Sequence, residues 1–175
     1  MNQVLEAIKS RRSIRNFKSD MIEQDKIDQI VEAGLYAASG MNRQPTKILV
    51  VKNKKLRDKL SAEKCKIDGW RDGHDPFYGA PVVLVVLANK NEGTYLYDGS
   101  LVMGNLMLAA HALGIGSCWI HRAKEEFEMP EYKEFLKSLG IEGNWEGIGH
   151  CILGYPAGVE PKATPRKENR VYIIE

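Results

Sequence analysis

The run Pro81-Val82-Val83-Leu84-Val85-Val86-Leu87 constrains this chain more than any other segment. After the proline come six apolar residues, four of them β-branched, with no polar face between them. A strand of that kind is stable only inside a sheet covered on both sides. The rest of the sequence must therefore supply two apolar layers, one for each face of this strand.

Helical periodicity provides them. It predicts helices over residues 2–10, with Val4, Leu5 and Ile8 on one face, and over residues 23–38, with Ile27, Ile30, Val31, Leu35 and Ala38 aligned. The second of these starts without a residue suited to capping it. Further helices are predicted over residues 54–64, 97–113 and 130–139, the last opened by Pro130 and closed by Gly140. Tyr97 to Leu113 is the most hydrophobic. Its apolar residues, among them Leu101, Leu106 and Leu108, fall on overlapping faces, which predicts burial on most sides. Shorter apolar runs read as strands over residues 46–51, 82–87, 117–120 and 147–154, and Val171-Tyr172-Ile173-Ile174 is a final apolar stretch. Breakers mark loops over residues 39–45 and 68–79. The alternation implies one domain, residues 1–175, built as a sheet covered by helices of the α/β or α+β class.

Several functions are disfavoured at this level. A net charge of +2 is too small for bulk nucleic-acid binding. No run is long enough to cross a membrane, and the N-terminus runs into Glu6 and Lys9 without an apolar leader. Cys65, Cys118 and Cys151 form no CxxC pair, so a reducing cytoplasm is the expected compartment. The four histidines lack the close spacing of a zinc site, so no metal is expected. There is no Walker loop, no GxGxxG fingerprint and no GxSxG elbow. Gly114-Ile115-Gly116 is a helix stop followed by a turn. Cys118 and His111 read as packed core residues, and Glu125, Glu126 and Glu128 read as a solvated acidic surface.

Two segments remain as candidate binding sites. Arg11-Arg12-Ser13-Ile14-Arg15-Asn16-Phe17 sets three guanidiniums and a hydroxyl within five residues, a phosphate grip with no glycine-rich loop. Taken alone, it is equally a basic helix end. Ser39-Gly40-Met41-Asn42-Arg43-Gln44-Pro45 offers Ser, Asn and Gln groups that suit the polar edge of a flat heterocycle, or else serve a turn. Pro165-Arg166-Lys167 adds a second basic cluster near the end.

These pieces, with Tyr78-Gly79-Ala80-Pro81-Val82-Val83 and the segment from Asn105 to Trp119, resemble the nitroreductase family of FMN-dependent reductases in order and across nearly the whole chain. The resemblance implies an α+β fold with a mixed central β-sheet wrapped by helices. It also implies a homodimer with FMN at the interface. By resemblance, Arg11, Arg12, Ser13 and Arg15 hold the phosphate and ribityl chain, and Arg166 and Lys167 add to the same phosphate. Ser39, Asn42 and Gln44 reach the flavin from the partner subunit. Trp119, Ile120 and His121 lie beside the isoalloxazine, mainly through backbone groups. Two departures stand out. Thr46 occupies a position where many members have Trp, and the chain lacks the longer helical insertion over the substrate.

The implied activity is hydride transfer from NADH or NADPH through FMN to a nitroaromatic, quinone or similar acceptor, with ping-pong kinetics. The flavin carries the chemistry, so no catalytic side chain is expected. The alternatives are dehalogenation or dehydrogenation on the same fold, or a flavin-binding protein without turnover.

Overall fold

The computed structural model describes residues 2–175. Its strands are β1 (Thr46–Val51), β2 (Val82–Asn89), β3 (Gly116–Ile120) and β4 (Trp145–Gly154). They form one sheet of order β1-β2-β4-β3, and every strand pairing is antiparallel. The parallel element is an isolated bridge between Ser13 and Ser117, which lays the arginine segment against the edge of β3.

β2 sits inside the sheet, and Val82 through Ala88 are each 0% exposed. Its alternating side chains feed two separate cores. Val82, Leu84 and Val86 pack with Ile27 and Ile30 of α2 (Gln24–Leu35) and with Val102, Met103 and Leu106 of α4 (Tyr95–Ala112). Val83, Val85 and Leu87 pack on the other face with Leu60 of α3 (Lys54–Ile67) and Phe127 of α5 (Ala123–Glu128). Tyr132 and Leu136 of α6 (Pro130–Ser138) complete that second core. Each fully buried Val or Leu contributes about 1.5–3 kcal/mol, so the burial of β2 is a large stabilising contribution.

The structure corrects several sequence expectations. α2 ends at Leu35, because Tyr36 and Ala37 close a tight last turn through their N–H groups to Glu32 O and Gly34 O. α3 runs to Ile67, where Lys64 and Asp68 pair one turn apart and the basic Lys64 and Lys66 suit the helix C-terminus. α4 buries one face only: Tyr97 is 71% and Leu101 50% exposed. α1 (Gln3–Ser10) buries no residue, and Val4, Leu5 and Ile8 are 53–60% exposed. Periodicity identified these apolar faces but not what covers them.

α5 was not anticipated. The acidic run read as solvated surface forms this helix, and Glu126 is 0% exposed, with its Oε2 2.7 Å from His150 Nε2 on β4. The helix turns Glu126 inward beside Phe127, while Glu128 stays in solvent. His111 is also not a core histidine. It is half-buried, and its Nε2 meets Ser10 Oγ at 2.8 Å.

The end of the chain stands apart. Residues 158–175 are exposed and form no helix or strand. Among the described residues, no hydrogen bond or ion pair joins residues 161–175 to the rest. No described helix is long and apolar enough to cross a membrane.

Candidate functional site

The arginine segment begins where α1 ends. From Arg11 the backbone is extended and runs beside β3: Ser13 bridges Ser117, and Ile14 N donates to Ser117 O at 2.9 Å. Further on, Ala157 N donates to Asn16 O and Lys18 N to Tyr155 O, each at 2.9 Å. An extended chain sends alternate side chains to opposite sides, and that alternation divides the segment.

Arg11, Ser13 and Arg15 share one side. Burial pushes the Cys118 thiol up, while the charges of Arg15 and Arg11 and a hydrogen bond from Ser13 act in the other direction, so all three surround this sulfur. Arg12 points the other way. Its Nη1 donates to Lys9 O at 2.8 Å and to Arg11 O at 2.6 Å, which satisfies carbonyls at the end of α1. Of the four residues expected to act together, Arg11, Ser13 and Arg15 share one side and Arg12 caps the end of α1 on the other.

Arg11 Nη1 is buried and has no hydrogen-bond partner. A buried charged donor without an acceptor costs a few kcal/mol, and an anion beside it would remove that cost. A terminal phosphate fits this requirement, with Ser13 as a neutral donor and Arg15 exposed beside it.

β3 forms the next part of the site. Trp119 is half-buried, Ile120 is 7% exposed, and His121 is exposed. Trp119 packs across Gly149, where a Cβ would come within 2.3 Å of the indole Nε1. The Trp119 and Ile120 side chains are committed to packing, so this segment offers a ligand its backbone and His121.

Beyond it lies a charged group that sequence reasoning missed. Arg122 adopts a left-handed φ of 87° and pairs through Nε with Asp68 Oδ1 at 2.8 Å and through Nη1 with Glu125 at 2.7 Å. Asp68 also pairs with Lys64, which is almost fully buried. Burial pushes the Asp68 carboxyl up, but Lys64 and Arg122 hold it below its ordinary value. The network ties the loop after α3 to the end of β3. The i,i+4 spacing of Lys64 and Asp68 was a visible signal of their pairing, but nothing local pointed to Arg122.

The Ser39–Pro45 loop is built at a different place. Met41, Asn42 and Gln44 all hold positive φ, near 50°. Ser39 Oγ accepts from Gln44 N, and Gln44 Nε2 donates to Asn42 Oδ1, both at 3.0 Å. Asp98 anchors the loop by accepting from Gly40 N at 3.0 Å and from Thr94 Oγ1 at 2.8 Å. Asp98 was missed too, although a lone acid in the first turn of an apolar helix was a readable signal. Met41, Asn42, Arg43 and Gln44 are exposed, Met41 at 86%, while Pro45 is buried.

Within one chain the arginine segment and this loop lie at opposite ends of α4. Asp98 holds the loop, and His111 touches Ser10 beside the arginine segment. The helix rises about 20 Å between those residues. Arg166 and Lys167 lie in the detached tail, where Arg166 donates to Thr164 O at 2.7 Å. The structure does not bring them to Arg11: among the described residues no hydrogen bond or ion pair joins this tail to the body.

The nitroreductase family model matches residues 8–67 and 70–155. This chain belongs to the nitroreductase family. A Bacteroides fragilis nitroreductase solved with bound FMN superposes with a TM-score of 0.90 at 31% identity, covering 100% of both chains. An Archaeoglobus fulgidus relative is 32% identical over 161 residues, 89% of this chain and 87% of its own length. A Methanothermobacter thermautotrophicus relative is 33% identical over 120 residues, 66% of this chain and 59% of its own length. Both carry the name "Putative NADH dehydrogenase/NAD(P)H nitroreductase". The nitroreductase fold therefore accounts for the whole described chain, and its sheet carries the arginine segment.

Proposed function

We propose that this protein is an FMN-dependent NAD(P)H oxidoreductase acting as a homodimer. The observation that carries the reading is the buried, unpartnered Nη1 of Arg11, beside Ser13 and Arg15, on a fold that binds FMN in the Bacteroides fragilis protein. When bound, FMN supplies redox chemistry that no side chain here offers: hydride in from NADH or NADPH, electrons out to a nitroaromatic, quinone or similar acceptor.

The chain's own residues bind and orient. Arg11 and Arg15 neutralise the phosphate, and Ser13 donates to it or to the ribityl chain. Trp119 and Ile120 form a packed wall, and the backbone through His121 lines the ring edge. Ser39, Asn42 and Gln44 complete the slot from the other subunit, which the separation of the half-sites along α4 supports. Arg166 and Lys167 add positive charge to a phosphate once the tail is seated. Both redox partners use one slot in turn, so the kinetics are ping-pong. Among the described residues no group of three or more His, Cys, Asp or Glu could hold a metal.

The dimer is supported by the apolar surface left open. Val4, Leu5 and Ile8, with Leu101 and the residues Val171 to Ile174, are all at least half exposed. The decisive experiment is extraction of the bound flavin followed by anaerobic NADH or NADPH addition. FMN that bleaches rapidly supports the reading. FAD, or no flavin after incubation with excess FMN, overturns it, and FMN that does not bleach leaves a binding protein without this turnover. Arg11→Ala or Arg15→Ala should weaken FMN by roughly 1.5–3 kcal/mol and riboflavin much less. Equal losses for both ligands would mean that these arginines only support the fold.

A further inference from the structure

The side of the segment turned away from Arg11, Ser13 and Arg15 has its own cavity. It encloses about 190 Å³ and is lined by Arg12, Ile14, His111, Ser117, Pro156 and Glu160, with the Gly114–Gly116 turn as its floor. That volume is enough for one small hydrated ion.

Its polar groups are incompletely satisfied. Ser117 is 2% exposed, and its Oγ is buried with no partner. Leaving such a hydroxyl unpaired is costly, so a native structure that does so calls for a missing partner. Arg12 makes no ion pair among the described residues and uses only Nη1 on backbone carbonyls, leaving Nε and Nη2 as free donors. His111 uses Nε2 toward Ser10, and its Nδ1 makes no hydrogen bond. These donors come from three elements, the arginine segment, α4 and β3, and border one small space. Glu160 at the mouth is exposed and unpaired, so it can turn toward solvent.

We propose that this cavity is a binding site for a small tetrahedral oxyanion, inorganic phosphate or sulfate, held by Arg12, Ser117 and His111. A guanidinium and the Ser117 hydroxyl, with His111 donating from Nδ1 in the tautomer whose Nε2 accepts from Ser10 Oγ, suit a tetrahedral ion, which accepts hydrogen bonds in several directions. The site lies on the reverse side of the backbone that carries Arg11, Ser13 and Arg15. An ion there contacts the segment through Arg12 and the strand that bridges it through Ser117. It steadies the same stretch of chain without touching the other three side chains. The proposal stands independently of the flavin reading.

The test is calorimetric titration of the flavin-loaded full chain with inorganic phosphate, against sodium chloride and sodium acetate at matched ionic strength. One saturable site for phosphate, competed by sulfate, is expected. Ser117→Ala should weaken it at least tenfold without unfolding the protein, since its Oγ bonds nothing now. Arg12→Gln should weaken it similarly. Lys9→Gln, a nearby exposed charge outside the cavity, should change it less than twofold. Absent saturation, equal heats with acetate, or an unaltered Ser117→Ala isotherm would each overturn the proposal. If the chain takes up no flavin, the flavin-free chain serves: loss on Ser117→Ala but not on Arg15→Gln still assigns the ion to this cavity, and the reverse pattern refutes it.

Discussion

β2 and the C-terminal run Val171-Tyr172-Ile173-Ile174 are both apolar and β-prone, yet their surroundings are opposite. Every residue from Val82 to Ala88 is 0% exposed, whereas the C-terminal four are 82–95% exposed. β2 has a strand on each side and a core on each face. The tail has neither, because residues 158–175 lead away from the body. Water tolerates such a run poorly, and its unpaired backbone groups are a template for pairing. Composition therefore states a demand for burial in both places, and only one chain's worth of structure meets it for β2. A second copy is the proposed answer for the tail.

The comparison breaks most sharply at the tail. Removing residues 171–175 should abolish the dimer and the bound FMN together. Light scattering that shows a monomer with full FMN occupancy, before or after truncation, would mean that the tail needs no partner. In β2 the next largest effect is expected. Leu84→Ala should cost about 2–5 kcal/mol in denaturant unfolding. A loss under 1 kcal/mol would show that the β2 core is less tightly packed than its burial indicates.

Asp75 sharpens the contrast by showing how the start of β2 is fixed. Its carboxylate accepts from Arg57 Nη2 at 2.5 Å, Ser61 Oγ at 2.6 Å, Phe77 N at 3.0 Å and Gly79 N at 2.7 Å. Burial raises this carboxyl, but Arg57, Ser61 and the two backbone donors hold it below its ordinary value. The folded value is thus lower than the unfolded one. The stabilisation is present above the unfolded value of about 4 and is lost as pH falls through the folded value. Asp75→Asn should lose about 1.5–3 kcal/mol at neutral pH and flatten the acid limb of stability below pH ~4. An acid limb identical to that of the parent protein would exclude Asp75 as its source. The smallest effect is expected at Cys118→Ala, about 1 kcal/mol of packing, with flavin reduction by NAD(P)H preserved. A variant that retains FMN but loses reduction by orders of magnitude would mean that the thiol takes part in the chemistry.

Periodicity located most of the elements because α2, α4 and β2 carry their own apolar repeats. Residue type grouped Arg11, Arg12, Ser13 and Arg15 together, because it does not reveal the alternation imposed by the Ser13–Ser117 bridge, which sends Arg12 to the other side. It missed α5, whose acidic composition resembles surface until Glu126 meets His150 across the core. Arg122 escaped for a related reason: its pairing with Asp68 joins residues 54 positions apart.

What the sequence alone determined is the demand of each segment: a doubly covered β2, apolar helix faces, three arginines clustered after the first helix, and a hydrophobic tail. These are local properties, set by side-chain chemistry and by the repeat of helix or strand. What only the tertiary structure decided is how those demands are met. It paired β2 with β1 and β4, turned Arg12 back onto α1, buried Glu126, left α1 and the tail uncovered, and set the arginine segment and the Ser39–Pro45 loop at opposite ends of α4. The physical reason is that burial and pairing belong to contacts between distant segments, and a segment's own residues cannot specify which partner supplies them.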